Sequence, residues 1–371
     1  MARKAAMSGL AWLALLSLAQ ITGAAPFAPS TIISGAGVPP LDDCLIFPGS
    51  VFVCITSALT GAFDDDVNVE LDQQVQLAGC QQNAPWNLHY LTALNRGQKA
   101  FAYDDAQAAT AIYIVDTWVE IEHREFGGRM DFGASFAEGR SNPHGTHVAG
   151  LALGSTMGVN RAARGVAVQV LDDTGRGSWS TILRGLDWIA RQRRKGIVNI
   201  SISGGGSVAI DTAVNAMVDD GWRVVVAAGN DAVDACSKSP ARAAKAVTVA
   251  AANSNDELAT FSNTGRCVDV VAPGENVLSA YPGGRYAYMS GTSMAAPLVA
   301  GAWSLTPNLT AGEAVRRLSR VDLLRQRQPA TTTQRLLFIG APRDQCFSDQ
   351  GSWEEEGAVW EPLFGQVSFL Q

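Results

Sequence analysis

A side-chain hydroxyl that attacks a carbonyl carbon needs a base to take its proton and an acid group to orient that base. The sequence sets one candidate for each role at the edge of a turn. Asp116 directly follows the apolar run "AIYIV" (111–115), His144 opens "HGTHVAG" (144–150), and Ser293 lies in "MSGTSMAAPLVAG" (289–301), a Gly-rich turn leading into an apolar stretch. Each residue also has a plainer use. An Asp after a strand caps a turn, a Ser in "GTS" serves as a helix N-cap, and His144 with His147 has the spacing of a metal pair. Zinc needs further ligands, yet the other two of the four histidines, His89 and His123, are scattered and no CxxC pair occurs.

Positioning such groups is the work of the surrounding elements. "AIYIV" (111–115), "VAVQVL" (166–171), "IVNISI" (197–202), "WRVVVAA" (222–228), "AVTVAA" (246–251) and "VDVVA" (268–272) are short, nearly continuous apolar runs. Such runs suit strands buried on both faces, as in a parallel sheet. Helical patterns alternate with them. The segment 178–196 places Ile182, Leu186 and Ile189 on one face, with cations in its expected last turn and Gly196 as its stop; 208–221 repeats the pattern with Val214, Met217 and Val218 and closes at Gly221. Strand, helix, strand predicts an α/β fold with right-handed crossovers, whose chemistry collects at the carboxyl ends of the strands. Small residues in "HGTHVAG" would let a helix start close against neighbouring backbone. No run of elements is expected over 25–82, which is rich in Gly, Pro and acidic residues.

The chain of 371 residues begins with Arg3 and Lys4, an apolar run from Leu10 to about Ile21, and then small residues, the layout of a secretory signal peptide cut after Ala24. The run is short for a membrane span, and no later stretch qualifies. Six cysteines permit three disulfides in the oxidising compartment that a secreted protein meets. A net charge of −7 argues against nucleic acid as the partner. Of the two sequons, Asn199 falls in an expected buried strand, whereas Asn308 falls in an expected surface turn and is the better acceptor.

Taken together, the order Asp, His, Ser with "HGTHVAG" and "GTSMAAP" resembles the subtilisin-like serine proteases (peptidase S8), in particular the proteinase K branch. "APWNL" (84–88), "VDTWVEIEHREFGGR" (115–129), "VLDDTGRG" (170–177), "AAGN" (227–230) and "TFSNTGRCVDVVAPG" (260–274) extend the likeness from about Pro85 to Phe338. The resemblance implies a three-layer α/β fold with a mainly parallel sheet flanked by helices. It makes Ser293 the nucleophile, His144 the general base, Asp116 its orienting acid and Asn230 an oxyanion donor, with His147 structural. Gly175, Gly177, Ser201, Ser203 and Gly204 match cleft-lining positions, which hold a peptide as an added strand. Cys236 and Cys267 match a disulfide pair, and Asp269 matches a calcium ligand beside the carbonyls of Ala244 and Ala246; the plain alternative for Asp269 is the end of a strand. No cofactor is implied for the chemistry.

The implied organisation is a signal peptide (1–24), a short inhibitor-like propeptide (25–82) ended by self-cleavage after Gln82, a catalytic domain (83–340) and an acidic, aromatic tail (341–371). The expected protein is a secreted, extracellular, monomeric serine endopeptidase acting on proteins or peptides, with its own propeptide as a further partner. The sequence also departs from the family pattern. Trp118 stands where Gly is usual after the catalytic Asp, Ser203 replaces a Gly in "SLGG", and the propeptide is short. Trp118, "HRE" (123–125) and "PWNL" also resemble a secreted convertase of this branch that processes itself once, keeps its propeptide and then binds a receptor. That gives the alternative reading, a self-processing but otherwise non-proteolytic binding protein. A local Cys44–Cys54 bridge would leave Cys80 with Cys346, tethering the propeptide after the cut. Lys238, near the specificity pocket by resemblance, either favours acidic side chains or is simply solvated.

Overall fold

The structure, a computed structural model, describes residues 79–92, 99–103, 110–321, 324 and 332–340, together with the backbone of four strands before them. The expected signal peptide, Cys346 and the tail lie outside the described residues. Contacts divide the chain into a unit ending at Val75 and a unit starting at Gln76. In the first, β1 (Thr31–Gly35), β2 (Cys44–Phe47), β3 (Val51–Thr56) and β4 (Asn68–Leu71) form an antiparallel sheet in the order β2-β3-β1-β4. This corrects the expectation that 25–82 carries no run of elements. The strands hold only four to six residues each, too few for an alternation to stand out among Gly, Pro and acidic residues. Register places Cys44 opposite Cys54.

The second unit opens with β5 (Gly79–Gln81), α1 (Trp86–Thr92) and β6 (Phe101–Tyr103). Then come β7 (Ala111–Asp116), β8 (Met130–Ser135), α2 (His144–Leu153), β9 (Arg164–Gln169), α3 (Trp179–Ala190), β10 (Ile197–Ile200), β11 (Gly204–Gly205) and α4 (Val208–Asp219). They are followed by β12 (Arg223–Ala227), β13 (Lys238–Ser239), β14 (Val247–Ala252), β15 (Val270–Pro273), β16 (Val277–Tyr281) and β17 (Arg285–Met289). Last come α5 (Thr292–Ser304), α6 (Ala311–Arg317), β18 (Ser319–Arg320) and β19 (Leu336–Leu337).

All six apolar runs read from the sequence are neighbours in one sheet, ordered β18-β19-β15-β14-β12-β10-β7-β9-β8. Every pairing in it is parallel except β18 with β19. One apolar cluster, containing α2 and α5 residues, covers one face; a second, with Ile182, Leu186 and Ile189 of α3 and Val214 and Met217 of α4, covers the other. This is the expected three-layer α/β architecture. The chain adds β8 and β9 on one side of β7 and then returns through α3 to β10 on the other. The order therefore reverses at β7, and a crevice opens at the carboxyl ends beside such a switch point.

Helix α3 differs from its expected extent. It starts as read, with the Ser178 hydroxyl accepting from Thr181 N, but stops at Ala190, so the cations of "RQRRK" follow it. Gly196 is not its stop. A Cβ there would stand 2.3 Å from the Ala111 carbonyl oxygen, so glycine is needed where the chain enters β10 alongside β7. Helix α4 closes as read, with Gly221 at φ +89°.

Candidate active site

Asp116 is the last residue of β7 and is fully buried. Its Oδ1 accepts from Thr117 N and from His144 Nδ1, both at 2.7 Å. His144 is the first residue of α2, and small residues bring it there: a Cβ on Gly145 would lie 2.6 Å from the Thr117 carbonyl oxygen and 2.8 Å from that of Trp118. Burial pulls the His144 pKa down, but the charge and hydrogen bond of Asp116 outweigh it and hold it above the ordinary imidazole value. Sequence reasoning missed the clamp before this helix. Asn142 Oδ1 accepts from His144 N at 3.0 Å, Asn142 Nδ2 donates to the Asp173 carbonyl at 3.0 Å, and Asp173 Oδ1 accepts from Ser141 N at 2.6 Å. The Asn-Pro dipeptide was its available signal.

Ser293 occupies the first turn of α5, whose backbone N–H groups have no intrahelical acceptor. Pro297, four residues on, has no N–H and so leaves the Ser293 carbonyl free. Ser201, just beyond β10, fills that place: its Oγ donates to Ser293 O at 3.0 Å, while Ser293 Oγ donates to Ser201 O at 3.1 Å. The nucleophile candidate thus rests on Ser201 rather than on His144, and must turn to reach the imidazole. Such looseness is common before substrate binds.

Asn230 is held by one end. Its Oδ1 accepts from Thr292 N at 2.8 Å and from Thr292 Oγ1 at 2.9 Å, which leaves Nδ2 to donate elsewhere. A Cβ on Gly291 would stand 3.1 Å from Nδ2 and 3.7 Å from Ser293 N. The glycine therefore leaves open the space beside both nitrogens.

His144, Ser293, Ser201, Ser203 and Gly175 line one cleft of about 470 Å³, together with Thr117, Asn142, Pro143, Leu171, Ile202 and Met289, which sequence reasoning did not select. Gly177 and Gly204 lie further along the same two segments: Gly177 against the Val170 carbonyl, Gly204 under the Trp179 ring. The Trp118 ring packs on Phe132 and lies under the Arg140 guanidinium. Lys238 Nζ pairs with Asp231 Oδ2 at 2.7 Å, so its charge is already matched.

Two of the other histidines are held by backbone groups inside the fold. His147 is fully buried, with Nε2 donating to the carbonyls of Val277 and Ala287 at 3.1 and 3.0 Å, and burial pushes its pKa down to about 4. His123 Nε2 meets the Arg285 carbonyl, and its Nδ1 accepts from Glu125 N. Glu125, buried and missed from sequence, gathers Thr156 N, Thr156 Oγ1, Met157 N and Tyr286 OH on its carboxylate. No cluster of three metal-ligating side chains exists among the described residues. Asp269 is partly buried, accepts from Thr248 N at 2.8 Å, and has its pKa raised to about 6 by burial. Cys236 and Cys267 are disulfide-bonded, their Cα atoms 5.4 Å apart, as expected; Cys80 is also disulfide-bonded. Asn199 is fully buried, whereas Asn308 is exposed in a turn after α5. Among the described residues no helix is long and apolar enough to cross a membrane.

This geometry has relatives. Residues 108–323 match the model of the Subtilase family. The chain is similar to Subtilisin-like protease 3 of Arthroderma benhamiae, 42% identical over 297 residues, covering 76% of this chain and 75% of that one. It is 41% identical over 245 residues to the Cuticle-degrading protease of Metarhizium anisopliae, covering 63% of each. Among solved structures it resembles a cold adapted subtilisin-like serine proteinase, with a TM-score of 0.66 and 36% identity over 69% of this chain and 98% of that one. With a buried carboxylate, an imidazole and a serine set around one cleft at the switch point of its sheet, the chain belongs to the subtilase family of serine endopeptidases.

Proposed function

We propose that the chain is a secreted endopeptidase that hydrolyses proteins and peptides through an acyl-enzyme on Ser293. The observation that carries the reading is the 2.7 Å bond from His144 Nδ1 to Asp116 Oδ1, opening into the cleft that Ser293 lines. Asp116 keeps the Nδ1 proton in place, so Nε2 is the free base. It takes the Ser293 proton as Oγ attacks the carbonyl carbon, and returns it to the leaving amine. The negative charge on the tetrahedral intermediate falls to Asn230 Nδ2 and the Ser293 N–H, donors already oriented before the charge develops. Water then releases the acyl group by the same route. None of this needs a cofactor.

The N-terminal layout read from the sequence supports secretion, as does the Cys236–Cys267 bridge. Residues 25–82 are proposed as a propeptide removed by self-cleavage, supported by the separate unit that ends at Val75 and carries its own four-stranded sheet. The mature protein is proposed to act as a monomer. Asp269 is proposed to hold a structural calcium ion with the carbonyls of Ala244 and Ala246. A partly buried carboxylate whose pKa burial raises to about 6 is one whose charge a hard cation would stabilise, and calcium takes carboxylate and carbonyl oxygens.

The test is fluorophosphonate labelling of the purified secreted protein, read by intact mass, with Ser293→Ala as control. Labelling of a processed chain, absent from the variant, is the expected result. A cleaved chain that stays unlabelled with its propeptide bound would favour a self-processing binding protein instead.

A further inference from the structure

Beyond β10 and β12, neighbours in the sheet, the chain continues as two segments, 201–204 and 228–230. Ser293 is fastened between them. Its hydroxyl reaches the Ser201 carbonyl at 3.1 Å, and the adjoining Thr292 meets Asn230 Oδ1 at 2.8 Å from its N–H and Gly229 N at 3.0 Å through its hydroxyl. An acyl group on Ser293 Oγ, with its oxygen against the Asn230 amide, would sit between these two segments, with its nearest side chain beside them. What fills the gap between the segments is therefore a selector.

Gly229 contributes nothing to it. At φ +102° the position is closed to ordinary side chains, and a Cβ there would lie 2.4 Å from Asn263 Nδ2. The same hypothetical Cβ would lie 2.6 Å from Ser203 Oγ and 3.3 Å from Ser203 Cβ, so the hydroxymethyl group of Ser203 reaches across from the opposite segment onto Gly229. Ser203 also borders the cleft that His144 and Ser293 share. Charge does not compete with size as the criterion from Lys238, because its ammonium is already on Asp231.

We propose that Ser203 sets an upper limit on the side chain immediately before the scissile bond, so that the enzyme selects small residues such as Ala over Leu or Phe. The proposal rests on the endopeptidase reading. Each methylene that a pocket cannot accommodate costs roughly 10- to 200-fold in kcat/KM, enough for one hydroxymethyl group to decide preference.

The experiment compares kcat/KM of the processed, secreted protein on peptides identical except for Ala, Leu or Phe before the cut. The wild type is expected to favour Ala over Phe by about tenfold or more. Ser203→Gly is expected to raise the Phe/Ala ratio by about tenfold or more, and Ser203→Thr to lower the Leu/Ala ratio. Equal wild-type cleavage of Phe and Ala, or a ratio unmoved in Ser203→Gly, overturns the proposal while the protease reading stands. Absence of both cleavage and fluorophosphonate labelling in the wild type overturns both.

Discussion

Ser201 and Ser293 are hydrogen-bonded to each other twice, each hydroxyl donating to the other's carbonyl oxygen at 3.0 and 3.1 Å. The pairing depends on Pro297, since a residue with an N–H there would draw the Ser293 carbonyl into the helix. Ser201→Ala removes one of the two bonds without touching the reacting groups. Its kcat is expected to fall about tenfold, ~1.4 kcal/mol, with KM nearly unchanged in steady-state assays. Pro297→Ala should lower kcat as well, while its thermal midpoint does not fall. Unchanged kcat in both variants would refute the coupling.

Asn230 uses its two ends differently, which allows a clean substitution. Asn230→Asp keeps the acceptor for Thr292 and removes the donor. Folding by circular dichroism should be retained, and kcat should drop about 10²- to 10³-fold. A drop below threefold would remove Asn230 from the oxyanion role.

The pH profile follows from His144. Asp116 holds its pKa above the ordinary 6.5, and only the neutral ring can accept the Ser293 proton. Activity is therefore lost as pH falls through that raised value, and the acid limb of kcat/KM should sit above pH 6.5. In Asp116→Asn the limb should move down and kcat should fall on the order of 10⁴-fold.

His147 shifts the other way. Its ring is neutral with a pKa of about 4 when folded, against 6.5 for the ordinary group. The folded pKa is depressed, so its contribution to stability is complete above 6.5 and is lost as pH falls toward 4, by about 3 kcal/mol in all. In the Ser293→Ala protein, one histidine C2 proton signal should stay unshifted by NMR from pH 8 to 5. Titration of every ring near 6.5 would contradict this.

Calcium binding at Asp269 predicts a lower thermal midpoint in chelator, restored by added calcium and absent in Asp269→Asn. A midpoint indifferent to chelator would leave Asp269 as a strand-end carboxylate.

Much of this architecture was legible because it is written in continuous apolar runs. Buried on both faces, β7, β10, β12, β14 and β15 need no alternation to be recognised. Asp116 stood out because it abuts such a run, and His144 and Ser293 because of the motifs "HGTHVAG" and "GTSMAAP" around them. Residues whose roles depend on distant partners were not legible. Glu125 is an ordinary acidic residue until Thr156, Met157 and Tyr286 surround it, and Asp173 acts on His144 only through Asn142. The end of α3 was misread because Gly196 serves the strand after the loop, a contact with Ala111 that no local pattern records.

Strand β5 has one more consequence. Gly79, Cys80 and Gln81 are laddered to Tyr103, Ala102 and Phe101, and the Arg161 guanidinium lies 3.7 Å over the Tyr103 ring while hydrogen-bonding Gln81. If the chain is cut after Gln82, the new carboxyl terminus lies one residue beyond a strand that is paired within the catalytic unit. Freeing that end from the catalytic unit would then mean peeling a strand, an event whose rate is set by local unfolding and is indifferent to dilution, while the Cys80 disulfide is untouched by it.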